Sequence, residues 1–357
     1  MRVVFLALAL ALPAAAPSQA SDLAAPAALA LQAQVRALQA QGFVGELQVA
    51  RWQDGRAQAV RSQRFGLPGP APVWRWASVS KQIAAALTLS AQQRGRLRLD
   101  DTVRQHWPDW PGPAGVTLRQ LLLHTSGLPN PDETPAGRDE VPGFYRRGGP
   151  PSLEAAGYCS ALPPAPAALP PGERFRYNNC DTLVLAEVLA RAEGRPYPAL
   201  IRSLAGQLGL RSLRLVAGDE GPTPLPAGTP QPRLARFGAA AALQGTAADL
   251  IAWDLALLSG RLLDEAARRE LWTGNPQLGY VAPGAWAFPA QLRGCSTAVD
   301  LVERRGDVGG VQVRNLLAPK LGVALVLFTT DAEREFGEIW QGKGLMFDLA
   351  SAAVCGG

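Results

Sequence analysis

The chain has 357 residues, of which 47% are hydrophobic and 18% charged, with a net charge of +5. That is enough apolar material for a large core, and too little charge for a disordered or polyelectrolyte chain. The basic residues are scattered single arginines and not clusters interleaved with aromatics, so nucleic acid is not expected as a partner. With two histidines and no Cys-x-x-Cys spacing, neither a metal centre nor a cofactor is expected.

The N-terminus has the pattern of a secretory leader. Arg2 supplies the positive start, Val3 to Leu12 the apolar run, and Ser18-Gln19-Ala20 a small-x-small cleavage site. The expectation is a signal peptide over 1–20 and a periplasmic or secreted product. No segment is long and apolar enough to cross a membrane, so no stable membrane insertion is expected. The four cysteines, Cys159, Cys180, Cys295 and Cys355, then suggest disulfides. Sequence allows three pairings, and buried free thiols stay open as an alternative. The expected pairing is Cys159–Cys180, pinning a loop, and Cys295–Cys355, pinning the C-terminus.

In chain order, Ala25 to Gln41 reads as a surface helix stopped by Gly42. Phe43–Ala50 and Ala57–Phe65 read as strands joined at Asp54-Gly55, a hairpin signal. A Gly/Pro loop then delivers the chain to Trp74-Arg75-Trp76-Ala77-Ser78-Val79-Ser80-Lys81. Ser78 sits at the mouth of a helix that is apolar nearly all round, as a buried helix is. Lys81, three residues on, shares its face. Trp74 and Trp76 alternate in the manner of strand packing.

Thr117 is the expected N-cap of a helix running to His124, followed by Thr125-Ser126-Gly127. Residues 129–171 are rich in Pro and Gly, and so long an irregular stretch inside a domain is usually functional. Helices follow at Thr182–Glu193, Ala199–Leu208 and Ala247–Leu258. Strands are expected at Ala298–Arg304, Val311–Leu317 and Val323–Phe328, then a closing helix at Phe347–Val354. Strands, a helical block, strands and a helix define an α+β fold: an antiparallel sheet flanked by helices, with an inserted, mostly helical second lobe. The sheet lobe takes about 40–75 and 275–357 and the helical lobe about 78–270, with the site expected between them.

Two further stretches bear on chemistry. Tyr177-Asn178-Asn179 sets Tyr177 and Asn179 on one side of an extended loop, although Asn179 serves equally as a helix cap. Gly306-Asp307-Val308-Gly309-Gly310 reads as a glycine-rich strand start where a ligand can approach the backbone. Ser-x-x-Lys, Tyr-x-Asn and this glycine stretch, in that order, resemble the serine β-lactamase and penicillin-binding-protein family, above all its class C-like branch. Leu99-Asp100-Asp101 and His124-Thr125-Ser126-Gly127-Leu128 resemble stretches recurring between the first two motifs.

The resemblance implies a β-lactamase/transpeptidase-like fold and an exported serine hydrolase that forms an acyl-enzyme on Ser78. Lys81 and Tyr177 manage the proton, and Asn179 orients Lys81 or the substrate. The N–H groups of Ser78 and Gly310, next to Gly309, form the oxyanion hole. The substrate is then a small molecule or peptide bearing an amide, β-lactam or ester; the oligomeric state is left open. The third motif departs from the family pattern. In the register that matches the glycines, Asp307 replaces a cation, which disfavours an anionic substrate or else pairs with Lys81. The alternative register Arg304-Arg305-Gly306 keeps a basic residue. A catalytically weakened member that binds peptides or cell-wall fragments is the second reading.

Overall fold

The computed structural model describes residues 25–138, 140–146, 159, 171–172, 174–216 and 232–356. The expected leader, residues 1–20, and the Pro-rich stretch 147–170 apart from Cys159 lie outside the described residues.

Helix α1 (Ala25–Ala40) buries Leu31, Val35 and Leu38, spaced by helical turns. Strands β1 (Gly45–Gln53) and β2 (Arg56–Phe65) follow, closed by Asp54 at φ 51° and Gly55 at φ 72°. Two central residues with positive φ match the twist of a two-residue hairpin, which is why Asp-Gly stands there. Short β3 (Trp74–Arg75) leads into a tight turn over Ala77–Val79 and then α2 (Ser80–Gln93), buried along most of its length.

The helical lobe continues with α3 (Val103–His106), α4 (Leu118–Leu122), α5 (Asn179–Glu193) and α6 (Tyr197–Leu208). It is completed by β4 (Arg214–Leu215), α7 (Gly238–Ala241), β5 (Leu243–Gly245), α8 (Ala247–Leu258) and α9 (Glu265–Leu271). The chain then returns to the sheet as β6 (Val281–Ala282), β7 (Ala285–Ala290), β8 (Val299–Val308), β9 (Val311–Ala318) and β10 (Val323–Thr329). It closes with α10 (Leu345–Cys355).

The main sheet is antiparallel, in the order β2-β1-β10-β9-β8-β7-β6, and β3-β5-β4 form a second, small sheet. The fold is thus α+β, with the segment between β2 and β6 inserted into the sheet topology. Strand β10 shows how the layers are built. Val323, Leu325 and Leu327 face a core shared with α1 and α10, while Ala324, Val326 and Phe328 face the core of the helical lobe. A strand buried on both faces is apolar along its length, and this one is from Val323 to Phe328; the buried Thr329 at its end donates its hydroxyl proton to the Val44 carbonyl at 2.7 Å. The cysteines pair as Cys159–Cys180 and Cys295–Cys355, with Cα–Cα separations of 5.6 and 5.2 Å.

Two boundaries differ from expectation. Helix α5 starts at Asn179, not near Thr182, because Asn178 caps it: its Oδ1 accepts from the Cys180 N–H at 2.7 Å. The stretch 306–310 is not a strand start. Residues 306–308 end β8, and Gly309 (φ 52°) and Gly310 (φ 81°) form the two-residue turn into β9, with Val308 paired to Val311. Gly-Gly supplies the same positive-φ turn geometry there as Asp-Gly does between β1 and β2.

Candidate active site

Ser78 stands in the turn that precedes α2, half-buried, with Ala77 before it at φ 46°. A non-glycine residue at positive φ costs energy and persists only where its surroundings fix it. The surroundings here are β8. A Cβ on Gly306 would come within 2.8 Å of the Ala77 Cβ and 3.0 Å of the Ser78 nitrogen, so only glycine lets the strand lie so close. Beyond Glu303, the last residue paired to β7, strand β8 keeps β9 on one side only. Its free edge at 304–308 therefore walls the cleft beside Ser78.

The hydroxyl of Ser78 is 2.7 Å from the Tyr177 hydroxyl and accepts from Lys81 Nζ at 3.3 Å. Lys81 is buried and donates also to Asn179 Oδ1 at 2.6 Å and to the Ala240 carbonyl at 3.0 Å. Arg304, equally buried, donates through Nη2 to the Tyr177 oxygen at 2.5 Å and through Nε to the Ser78 carbonyl at 2.8 Å. Both cations also lie over the Tyr177 ring, 4.8 and 5.1 Å from its centroid. Trp286 packs parallel to that ring and takes Arg304 on its own face.

These neighbours set the protonation of the site. Burial pulls the Lys81 ammonium below its ordinary value; Tyr177 opposes the shift and the charge of Arg304 adds to it. Burial alone would raise the Tyr177 phenol. The charges of Arg304 and Lys81, with hydrogen bonds from Lys81 and Ser78, outweigh it and leave the phenol below its ordinary value. A lysine less basic than usual thus lies beside a tyrosine more acidic than usual, the direction needed for both to exchange protons near neutrality.

Asn179 is held by its whole amide. Besides accepting from Lys81, it donates to Asp132 Oδ1 at 3.0 Å and to the Tyr145 hydroxyl at 2.8 Å. Tyr145 stacks on Phe237 with centroids 3.7 Å apart. The Cys159–Cys180 disulfide clamps the first turn of α5, the turn that carries Asn179.

The structure brings Ser78, Lys81, Tyr177 and Asn179 into one hydrogen-bonded group. Asp307, Gly309 and Gly310 line the same cleft, of about 800 Å³, but at its rim. Asp307 is exposed, with Arg314 and Glu333 as its charged neighbours, and the Gly309 carbonyl accepts from Arg75 Nη1 at 2.9 Å. The glycine against the Ser78 amide is Gly306. Three contributors were not among the expected site residues. Arg304 carried a signal, a basic residue two before Gly306, in the register set second. Asp132 and Tyr145 carried none, lying in the Pro-rich stretch where no periodicity places a side chain.

The chain belongs to the Beta-lactamase family, a family of serine hydrolases, whose sequence profile matches residues 31–341. Among individual relatives, it is 31% identical over 177 residues to the esterase EstB of Burkholderia gladioli, covering 46% of this chain and 44% of that protein. It is 27% identical over 195 residues to the D-alanyl-D-alanine-carboxypeptidase/endopeptidase AmpH of Escherichia coli, 48% of each chain. The chain thus spans about half the length of the curated relatives it matches. A D-stereospecific amidohydrolase from Streptomyces has the same fold, with a TM-score of 0.68 at 24% identity over 93% of this chain and 99% of that one. Among the described residues no helix is long and apolar enough to cross a membrane.

Proposed function

We propose that the protein is an exported hydrolase that works through an acyl-enzyme on Ser78. The observation that carries this is one oxygen, Ser78 Oγ, open to a cleft and within hydrogen-bonding reach of both Tyr177 and Lys81. The Ser78 oxygen attacks a carbonyl carbon while its proton passes to the Tyr177–Lys81 pair, which titrates as a unit. The same pair returns the proton to the leaving group as the C–N or C–O bond breaks. Water then attacks the ester and releases the acid, with the pair as base.

The oxyanion is bound by the Ser78 N–H and by an N–H of the free β8 edge next to Gly306. Each such donor is worth about 3 kcal/mol of barrier. This reading puts the third motif at Arg304-Arg305-Gly306, with Arg304 the cation beside Tyr177. Amide, β-lactam and ester substrates all suit the machinery, and the names of the relatives span ester, peptide and amide hydrolysis. Both disulfides suit an oxidising compartment, which supports export.

Intact-mass measurement after treatment with a fluorophosphonate tests the nucleophile. One adduct, mapped to the Ser78 peptide and absent from Ser78→Ala, is expected; an unmodified wild-type protein overturns the reading. For export, the N-terminus of protein recovered outside the cytoplasm is expected to begin at Ser21.

A further inference from the structure

Two glycines of the sheet lobe sit against the backbone of Ser78 and Lys81. Gly306 of β8 lies against the Ser78 amide, and Gly284 lies against Lys81. A Cβ on Gly284 would come within 2.7 Å of the Lys81 carbonyl oxygen and 3.0 Å of both the Gln82 Cα and the Ala85 Cβ. Gly284 stands at φ 71° in the Pro283-Gly284 turn that joins β6 to β7, where Val281 pairs with Trp286 and Ala282 with Ala285. Pro-Gly suits such a turn, and the missing side chain lets it rest on the first turn of α2. Both turn residues are buried, although β6 is the last strand of the sheet.

Two residues on, the same hairpin carries Trp286. It is the last β7 residue paired to β8, opposite Glu303, so its indole stands where the free edge of β8 begins. The indole packs at 24° to the Tyr177 ring, with centroids 6.4 Å apart, and has the Arg304 guanidinium 5.2 Å from its centroid. Arg304 is buried, and its Nε and Nη2 are spent on the Ser78 carbonyl and the Tyr177 oxygen. Among the described residues no carboxylate pairs with it. A buried guanidinium without a counter-ion depends on the aromatic faces that cover it, here those of Tyr177 and Trp286.

We propose that the β6–β7 hairpin is the positioning element of proton transfer: Gly284 fixes the backbone of Lys81, and Trp286 holds Arg304 on Tyr177. This rests on the acyl-enzyme reading above, and the test separates the two. Tyr177 is faced by Lys81 from α2, by Arg304 from β8 and by His124 from the loop after α4, and Asp132 acts on Lys81. His124 is held well below an ordinary imidazole by burial, and Glu303, opposite Trp286, is paired to Arg305. In the intact site the charges and hydrogen bonds on Tyr177 outweigh its burial. Water admitted by loss of the indole weakens both, so the phenol returns upward toward its ordinary value. Lys81, lowered by burial, rises with it.

NMR of tyrosine isotopically labelled at Cζ reads the ionisation of Tyr177, its resonance assigned by loss in Tyr177→Phe. In Trp286→Leu the midpoint is expected to rise by roughly one pH unit, and in Trp286→Phe, which keeps part of the aromatic face, by less. Trp286 acts through the Arg304 charge, so Trp286→Leu is expected to add nothing to the shift of Arg304→Gln. The acidic limb of fluorophosphonate labelling should move with the resonance. Gly284→Ala is expected to slow labelling about tenfold. Gly279→Ala, at φ 67° but with open space beside it, is expected to label at the wild-type rate, which separates backbone strain from the contact with Lys81.

A midpoint unmoved or lowered by Trp286→Leu, or a shift of equal size in the Arg304→Gln background, overturns the proposal. Equal slowing by Gly279→Ala and Gly284→Ala does the same. If urea unfolding shows that Gly284→Ala does not fold, the Trp286 variants decide. A wild-type protein that takes no label, but whose Tyr177 midpoint follows Trp286, would sink the hydrolase reading and leave the hairpin's hold on Tyr177 in place.

Discussion

Two serine-centred clusters lie side by side in this molecule, and they differ in access and in the order of their hydrogen bonds. Around Ser78 the hydroxyl opens to the cleft and meets two groups that can take its proton. Around Ser126 the residue types are those of a hydrolytic triad, with His124 and Asp181. Their order is different: Ser126 donates to Asp181 Oδ1, His124 Nδ1 lies 3.0 Å from Asp181 Oδ2, and the carboxyl sits in the middle. All three are buried. Burial holds His124 well below an ordinary imidazole, helped by the charges of Lys81 and Arg304, and pushes the Asp181 carboxyl well above its usual range. A buried His–Asp pair braced by a hydroxyl is a structural joint between the loop after α4 and the first turn of α5. Residue identity does not make a nucleophile; access and the order of proton acceptors do.

Breaking each cluster sharpens the contrast. The largest effect is expected from Ser78→Ala, which should lower kcat by roughly 10⁴-fold or more on any chromogenic substrate the wild type hydrolyses. Tyr177→Phe keeps the ring between its cations but removes the proton acceptor nearest Ser78. A loss of about 10²- to 10³-fold in the rate of acylation is expected, read by the rate of fluorophosphonate labelling.

Arg304→Gln is expected to act through pH. Arg304 lowers both Lys81 and Tyr177, so its removal raises both, and the proton-accepting form appears only at higher pH. The acidic limb of the kcat/KM profile should move to higher pH, and at a pH on that limb the rate should fall by roughly tenfold. A limb that stays in place, or moves to lower pH, would remove Arg304 from the proton machinery.

The smallest effect on activity is expected at the second cluster. Ser126→Ala leaves Asp181 Oδ1 and the Leu128 N–H without their partner. It should cost about 1–3 kcal/mol of stability in denaturant unfolding. The labelling rate of Ser78 should be unchanged; if Ser126→Ala abolished labelling and left stability alone, the roles given to the two clusters would be reversed.

Much of this was legible before any coordinates. Composition, apolar runs and turn residues located α1, α8 and the strands β8, β9 and β10, because each is long enough to carry its own signal between turn residues. Ser78 and Lys81 were legible because they lie three residues apart, across the tight turn over Ala77–Val79 and the first turn of α2, which fixes their geometry locally. The small strands β3, β4 and β5 were not, since two or three residues carry no period. Nor was the role of Arg304: two registers of one strand differ by which glycine meets Ser78, and that contact spans more than two hundred residues of chain.

By itself, the sequence determined the longer helices and strands, the α+β order and the local pair of Ser78 and Lys81, since these depend on spacing within one turn or one strand. Only the tertiary structure decided which cation faces Tyr177, that Asp132 and Tyr145 take the two donors of Asn179, and that Ser126 donates to a buried acid. Those choices depend on burial and on the order of hydrogen-bond partners, which exist only once distant segments have packed.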